Sequence, residues 1–303
     1  MASRYGSLHR RIIVAKQSFI NRISSRRIFT WPPTLYLLLF VAIPIVLMLI
    51  TSFNSPNEDG GQRVLDFTGE NYHRIAADDA MLKLFAQSFV YAVVTTTLCL
   101  LLAYPLALII ARSSKKWRGV LLLLAILPFW SHLLVRIHAW MIILNPQAGL
   151  SMAINSFFAL FGIEPVSLLF SPFAVLTGLV YVHLPLMILP LYANLEKHDP
   201  ALLDAAQDCG ANAWQRFWQI TFPLSLSGIY AGAALVFILT FGAFAVPDLL
   251  GGADGNMIGN AISQQFLFTR DRAFGSALAM VLMVLAIGLI GLVALFARGR
   301  RYG

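Results

Sequence analysis

The residues of this chain whose types could do chemistry form no catalytic constellation. No G-x-x-x-x-G-K-[ST] is present to cradle a nucleotide, and H-E-x-x-H and G-x-S-x-G are missing as well. The six histidines (9, 73, 132, 138, 183 and 198) have no metal-ligand spacing, so no metal site is expected. Cys99 and Cys209 have no C-x-x-C partner and read as buried or inert thiols. What remains is one polar stretch with unusual spacing, Asp204 to Pro223, reading D-A-A-Q-D-C-G-A-N-A-W-Q-R-F-W-Q-I-T-F-P between two long apolar runs.

That stretch predicts two short helices at a sharp angle. Asp199 as N-cap and Pro200 in the first turn start a helix over Ala201–Cys209, and Gly210 stops it. Ala213–Ile220 then form a further turn or two before Pro223 admits the next apolar run. Small side chains at Ala205, Ala206 and Gly210 would let a partner's groove approach the backbone. The expected shape is a knob and not a pocket; an ordinary amphipathic connector is the plainer alternative.

The elements that position this knob follow from composition. Hydrophobic residues make up 58% of the chain and charged ones 12%, against about 45–50% and about 25% in globular domains. Mean hydropathy is +0.74. This is the composition of an all-α membrane protein, and hydropathy places six transmembrane helices at about 33–53, 86–111, 119–144, 173–193, 224–250 and 275–297. The knob then belongs to a loop over 196–223 between the fourth and fifth spans. A basic segment at 1–32, suited to an interfacial helix or a disordered arm, precedes the spans, and a basic tail at 298–303 follows them.

The net charge of +8 is topological rather than a nucleic-acid footprint. Basic residues cluster at 1–30, 112–118 and 298–303, flanking apolar runs, and no basic groove interleaved with aromatics accompanies them. On a six-span topology 16 of the 22 basic residues fall on the side of both termini and 10 of the 14 acids on the other. The positive-inside rule therefore puts both termini and the 196–223 loop in the cytoplasm. The second outer segment, 145–172, contains an apolar piece near Ile154–Phe161 too short to span, expected as a helix at the outer interface. Pro44, Pro105, Pro128, Pro185 and Pro190 fall inside spans, as packing kinks or hinges, and Gly228 and Gly232 form a small-xxx-small pair.

Along the spans, Arg136 is the one deeply placed cation. At a bilayer centre it costs about 2.5–3.5 kcal/mol, so it should face the bundle interior or an aqueous cavity, with His132 and Trp140 one or two turns away. A structural ion pair, a carbonyl contact and a place on a solute pathway all fit it. Trp130, Trp140, Tyr181 and Phe244 could line such a path by cation–π contact or serve as packing anchors. Asp248 could attract a cation at the outer mouth, and Glu164 could contact an extracytoplasmic protein; either could equally be a solvated rim charge.

The spacing of the loop resembles a family. Inner-membrane permeases of binding-protein-dependent ABC importers carry E-A-A-x-x-x-G-x(9)-I-x-L-P, matched here by Asp204, Ala205, Ala206, Gly210, Ile220 and Pro223, with Asp204 for Glu and Phe222 for Leu. The segments F-T-G-E-N-Y (67–72), L-P-F-W-S-H-L-L-V-R-I-H-A-W (127–140), L-P-L-Y-A-N-L-E-K (189–197) and P-D-L-L-G-G (247–252) are similar to the spermidine/putrescine (PotB-like) branch.

The resemblance implies a type I importer permease in the bacterial inner membrane, itself without catalysis or bound cofactor. Its loop would dock into a cleft of a cytoplasmic ABC ATPase dimer holding ATP and Mg²⁺. Its other partners would be a second, PotC-like permease and a periplasmic solute-binding protein. The solute would be a polyamine, another amine or an amino-acid derivative. A self-sufficient secondary transporter is the rival; it would call for intramembrane acids or unwound repeats, and neither is evident.

Overall fold

The computed structural model describes residues 31–55, 67–162, 164–252 and 255–299, with side chains through 291. Among these every regular element is helical. Five helices are long and apolar enough to cross a membrane, or six if one bent pair counts as a span.

Three of them make the centre: α3 (Asp79–Arg112), α7 (Pro172–Leu195) and α10 (Phe222–Phe241), each packed on the other two. On α3 the fully buried positions are small, Ser88, Ala92, Thr95, Cys99, Ala103 and Ala107, and the helically spaced run from Ala92 on lets α7 and α10 come close. Their approach is tightest at the expected glycine pair. A Cβ on Gly228 would lie 2.8 Å from that of Asn194 and 3.0 Å from the Pro190 carbonyl, and one on Gly232 would lie 2.6 Å from Met187 Sδ. Pro105, Pro185 and Pro190 are accommodated inside continuous helices.

Around this centre α13 (Arg272–Gly299) packs on α10 and on α12 (Ile258–Leu267). α2 (Glu70–Ala77) joins them through a salt bridge between Arg74 and Asp271 at 3.3 Å. α1 (Trp31–Ser52) stands apart: none of its apolar window is buried. Its end is tied down by Asn71, whose Nδ2 donates to the carbonyls of Ser52 and Asn54 at 2.9 Å, and by a 2.7 Å hydroxyl contact between Tyr72 and Ser52. The F-T-G-E-N-Y segment thus does structural work, fastening α1 to α2.

Two spans depart from expectation. The third is not one rod over 119–144. α4 (Lys115–Ile126) runs into a 3₁₀ turn at Leu127–Trp130, the chain extends at Ser131 and His132, and α5 (Leu133–Leu144) leaves in a new direction. The stretches Lys115–Trp130 and Leu133–Leu160 meet at 89°. Pro128 explains the stop, since it lacks an N–H and its ring clashes with the preceding turn. His132 restarts the helix, its Nδ1 accepting from Leu134 N–H at 3.3 Å. The fifth span is also displaced. Its helix runs unbroken over Ala213–Phe241, and after Gly242 the residues to Leu250 form a separate short helix, α11 (Ala245–Leu250), lying against α5 and α7.

The remaining segments match more closely. α6 (Gly149–Leu160) is the short helix expected within 145–172. Cys99 is buried, as the first alternative had it, while Cys209 is exposed because it caps a helix that projects from the bundle. The basic segment before residue 31 and the tail from 300 lie outside the described residues.

Candidate coupling elbow and pathway residues

The polar stretch folds as an elbow whose ends are satisfied from its own sequence. α8 (Pro200–Asp208) begins with Asp199 Oδ1 accepting from Ala201 N–H at 3.0 Å, and Pro200 occupies its first turn. It ends in a Schellman closure: Gly210 N–H donates to the Gln207 carbonyl and Ala211 N–H to that of Ala206, both at 2.9 Å. This geometry puts Gly210 at φ +85°, a left-handed conformation that explains glycine there although a Cβ would meet nothing within 4 Å. A capping box then starts α9 (Ala213–Arg216), with Asn212 and Gln215 exchanging hydrogen bonds at 2.9 Å.

α9 does not stop before Pro223. Residues Phe217–Thr221 form a π-turn that carries the helix into α10, with Phe222 N–H reaching back to the Phe217 carbonyl. Such a turn makes room for the Pro223 ring, which would press on the carbonyl four residues before it in a regular α-helix. Arg216 Nη1 braces the two arms through Gln207 Oε1 at 2.6 Å. Phe217 sits edge-on to Tyr104 of α3 at 5.7 Å and to Trp218 at 5.3 Å, so the second arm is anchored to the central bundle by rings.

The first arm is free. Ala201, Leu202, Asp204 and Ala205 are exposed, and Leu202 keeps half of its surface open. The expected knob is there. Behind it, unexpectedly, lies a cleft of about 450 Å³ lined by both arms and by the ends of α3, α4 and α7, including Arg112, Arg118, Glu196, Asp204 and Ile220. Arg118 holds the end of α7 by donating to Glu196 at 2.8 Å and to the Ala111 carbonyl. The Tyr192 hydroxyl, and after it Arg118, keep the Glu196 carboxyl below its usual range. Burial lowers the His198 imidazole beneath its ordinary value, partly offset by the Leu224 backbone. The Gln207–Arg216 and Arg118–Glu196 braces were not legible in the sequence, because their partners are brought together only by the turn or by packing.

At the far end of the bundle the candidate pathway residues are only partly assembled. Trp140 of α5 and Tyr181 of α7 meet edge-on at 5.7 Å. Trp130, 80% exposed at the end of the 3₁₀ turn, makes no ring contact with Trp140. His132 is engaged as the cap of α5, and Phe244, exposed between α10 and α11, accepts from Asn260 Nδ2 through its carbonyl at 3.0 Å. Asp248 and Glu164 are exposed. Arg136 lies in the first turn of α5, just past the bend, with its guanidinium 5.4 Å from the Phe129 ring centre. Among the described residues no group of histidine, cysteine or acidic side chains could hold a metal ion.

Residues 103–302 match the family of binding-protein-dependent transport system inner membrane components. The chain belongs to that family. It is 40% identical over 252 residues to the spermidine/putrescine transport system permease protein PotB of Escherichia coli, covering 82% of this chain and 90% of that protein. The PotB protein of Haemophilus influenzae is 40% identical over 272 residues, covering 88% and 90%. Among solved structures, the fold resembles a chain of a bacterial alginate ABC transporter in complex with an alginate-bound periplasmic protein. The TM-score there is 0.71 at 16% identity, over 90% of this chain and 94% of that one. The all-α permease fold and the importer family that the D-A-A…G…I-x-F-P spacing implied are therefore those of this protein.

Proposed function

We propose that this chain is the permease subunit through which an ATP-driven importer passes polyamine cations, and that the elbow is where the ATPase takes hold of it. The observation that carries this reading is the elbow's construction: a first arm exposing small and apolar residues, and a second arm continuous with α10. A push on α8 would travel through the Gln207–Arg216 brace and the π-turn into the central bundle. In this reading Asp204, Ala205, Ala206 and Gly210 form the docking face, and Ile220 and Pro223 set the angle at which the lever joins the membrane. The elbow side and both termini lie in the cytoplasm of a bacterial inner membrane.

ATP and Mg²⁺ belong to a cytoplasmic ATPase dimer, and a periplasmic binding protein delivers the solute to the opposite side, where the exposed Glu164 would meet it. A second, PotC-like permease completes the membrane part. α1 supports that partner, since an apolar window with no residue buried among the described residues has surface to give to another chain. Between the two permeases Trp130, His132, Trp140, Tyr181, Phe244 and Asp248 flank the proposed path. Arg136 stands beside it without binding its cargo, which it would repel. The polyamine assignment is supported by the PotB relatives.

The test is ATP-dependent uptake of labelled spermidine by the assembled importer in proteoliposomes. Gly210→Asp and Ala206→Glu should abolish uptake and release the ATPase. Intact uptake and association in both variants would remove the coupling role. Uptake by this chain alone, without nucleotide, would replace the reading with a secondary transporter.

A further inference from the structure

We propose that the cleft behind the elbow receives the phosphate headgroup of an anionic phospholipid from the cytoplasmic leaflet, held by Arg112 with Lys115 and Lys116 at its mouth. The inference rests on the topology proposed above, in which the elbow end of the bundle is cytoplasmic.

The cleft's volume of about 450 Å³ lies within the usual span of small-ligand pockets, about 300–1,000 Å³. Its charges do not balance. Of the acids that line it, Glu196 is bound by Arg118 at 2.8 Å and Asp199 accepts from the Ala201 N–H at 3.0 Å, which leaves Asp204. Against them stand Arg112, Arg118 and Arg216 in the lining, with Lys115 and Lys116 just beyond Arg112. Arg216 donates from Nη1 to the neutral Gln207. Arg112, Lys115 and Lys116 are exposed and make no hydrogen bond or ion pair among the described residues, so a ligand from outside can reach them. The surplus is cationic. It calls for an anion and repels a polyamine.

What makes that anion a lipid is α4. None of its residues is buried. Trp117, Val120 and Leu124, spaced along one face, are 61%, 45% and 58% exposed, an apolar stripe that begins beside Lys116 and leads into the span. Lysine and tryptophan at the start of an apolar span are residues of the headgroup layer. A lipid lying beside α4 can set its acyl chains on this stripe and its phosphate at the cleft, whereas a free phosphate would use only the cations. Basic pockets between helix ends on the cytoplasmic side hold anionic headgroups in this manner. Leu202 and Leu203 of α8 line the same cleft, so a bound headgroup would also support the first arm from behind.

The test uses the assembled importer in nanodiscs of phosphatidylcholine containing phosphatidylglycerol, and native mass spectrometry reads which lipid stays bound. The unaltered importer should retain phosphatidylglycerol over phosphatidylcholine. Arg112→Gln should lower that retention roughly fivefold, adding Lys115→Gln and Lys116→Gln should lower it further, and Arg112→Lys should keep most of it. Lys83→Gln, near the opposite end of α3, should change nothing. Undiminished retention in the triple variant overturns the proposal, as does equal retention of the two lipids or a matching loss in Lys83→Gln. Displacement of the lipid by inorganic phosphate would assign the site to a free anion and overturn the lipid. Unchanged lipid in Arg112→Gln together with release of the ATPase or the second permease would give the cleft to a protein segment instead. Retention is read without transport, so a lack of ATP-dependent uptake by the unaltered importer would count against the importer reading and not against the site.

Discussion

The elbow at 200–223 and the bend at 127–136 solve the same problem by opposite means. In each, a helix must stop and restart within a few residues. At the elbow every cap is local: Asp199, the Gly210 closure and the Asn212–Gln215 box satisfy the exposed backbone ends from within the one segment 199–215. At the bend the stop is local, through Pro128, and the restart is local, through His132, but the direction of the second arm is set by packing on α7 and α11. A self-contained turn can be moved as a rigid body by an outside force. A turn held by its neighbours changes only when they do, which suits a wall between subunits.

The sharpest way to break this contrast is to loosen the bend without touching the elbow. Trp140→Ala deletes the ring that joins α5 to Tyr181. For a buried tryptophan the loss is about 3–5 kcal/mol, and less is expected here, at about 2–3 kcal/mol, because Trp140 is only half-buried. Thermal melting of the assembled importer should fall and spermidine uptake should drop, while the ATPase stays attached. Loss of the ATPase in this variant would mean that bend and elbow are one unit.

That asymmetry also decides what was legible in the sequence. The elbow's caps are residue types with fixed jobs at fixed spacing, so α8 was placed within a residue and Gly210 was recognised as its stop. The small-xxx-small pair at Gly228 and Gly232 was visible for the same reason. The break at Pro128 was not, because intramembrane prolines are compatible with continuous helices, as Pro105, Pro185 and Pro190 demonstrate in this molecule. Which proline breaks its helix depends on whether neighbours hold the arms apart. Of the four candidate aromatics the bend sets Trp130 apart and brings Trp140 against Tyr181. The cleft behind α8 is not legible in the sequence because three separate stretches, near 108–118, 195–204 and 216–224, enclose it.

A smaller perturbation sharpens the elbow side. Asn212→Ala removes one half of the capping box and leaves the Gln215 N–H without its acceptor. The expected cost is about 1 kcal/mol, confined to the start of α9. Hydrogen exchange should accelerate at Gln215 and Arg216, with ATPase association weakened in proportion, and protection along α5 should be unchanged. An equal rise in exchange at α5 would show that the elbow is not locally held.

The smallest effect tests the elbow's footing by pH. Glu196 has its carboxyl held below the ordinary range by the Tyr192 hydroxyl and by Arg118. A depressed folded value means that the stabilisation is fully present above the unfolded value, about pH 4.3, and is lost as pH falls through the folded one. Glu196→Gln keeps the side chain's shape and removes the titration. The melting profiles of the two proteins should therefore differ at neutral pH and converge below about pH 4, with Asn212→Ala shifted equally throughout. The difference at neutral pH should be slight, because Glu196 lies at the surface, where solvent screens the pair. Parallel profiles down to the acid limit would mean that the ion pair seen at 2.8 Å does not hold the end of α7, and that α8 is tied to the bundle only by its backbone and the Gln207–Arg216 brace.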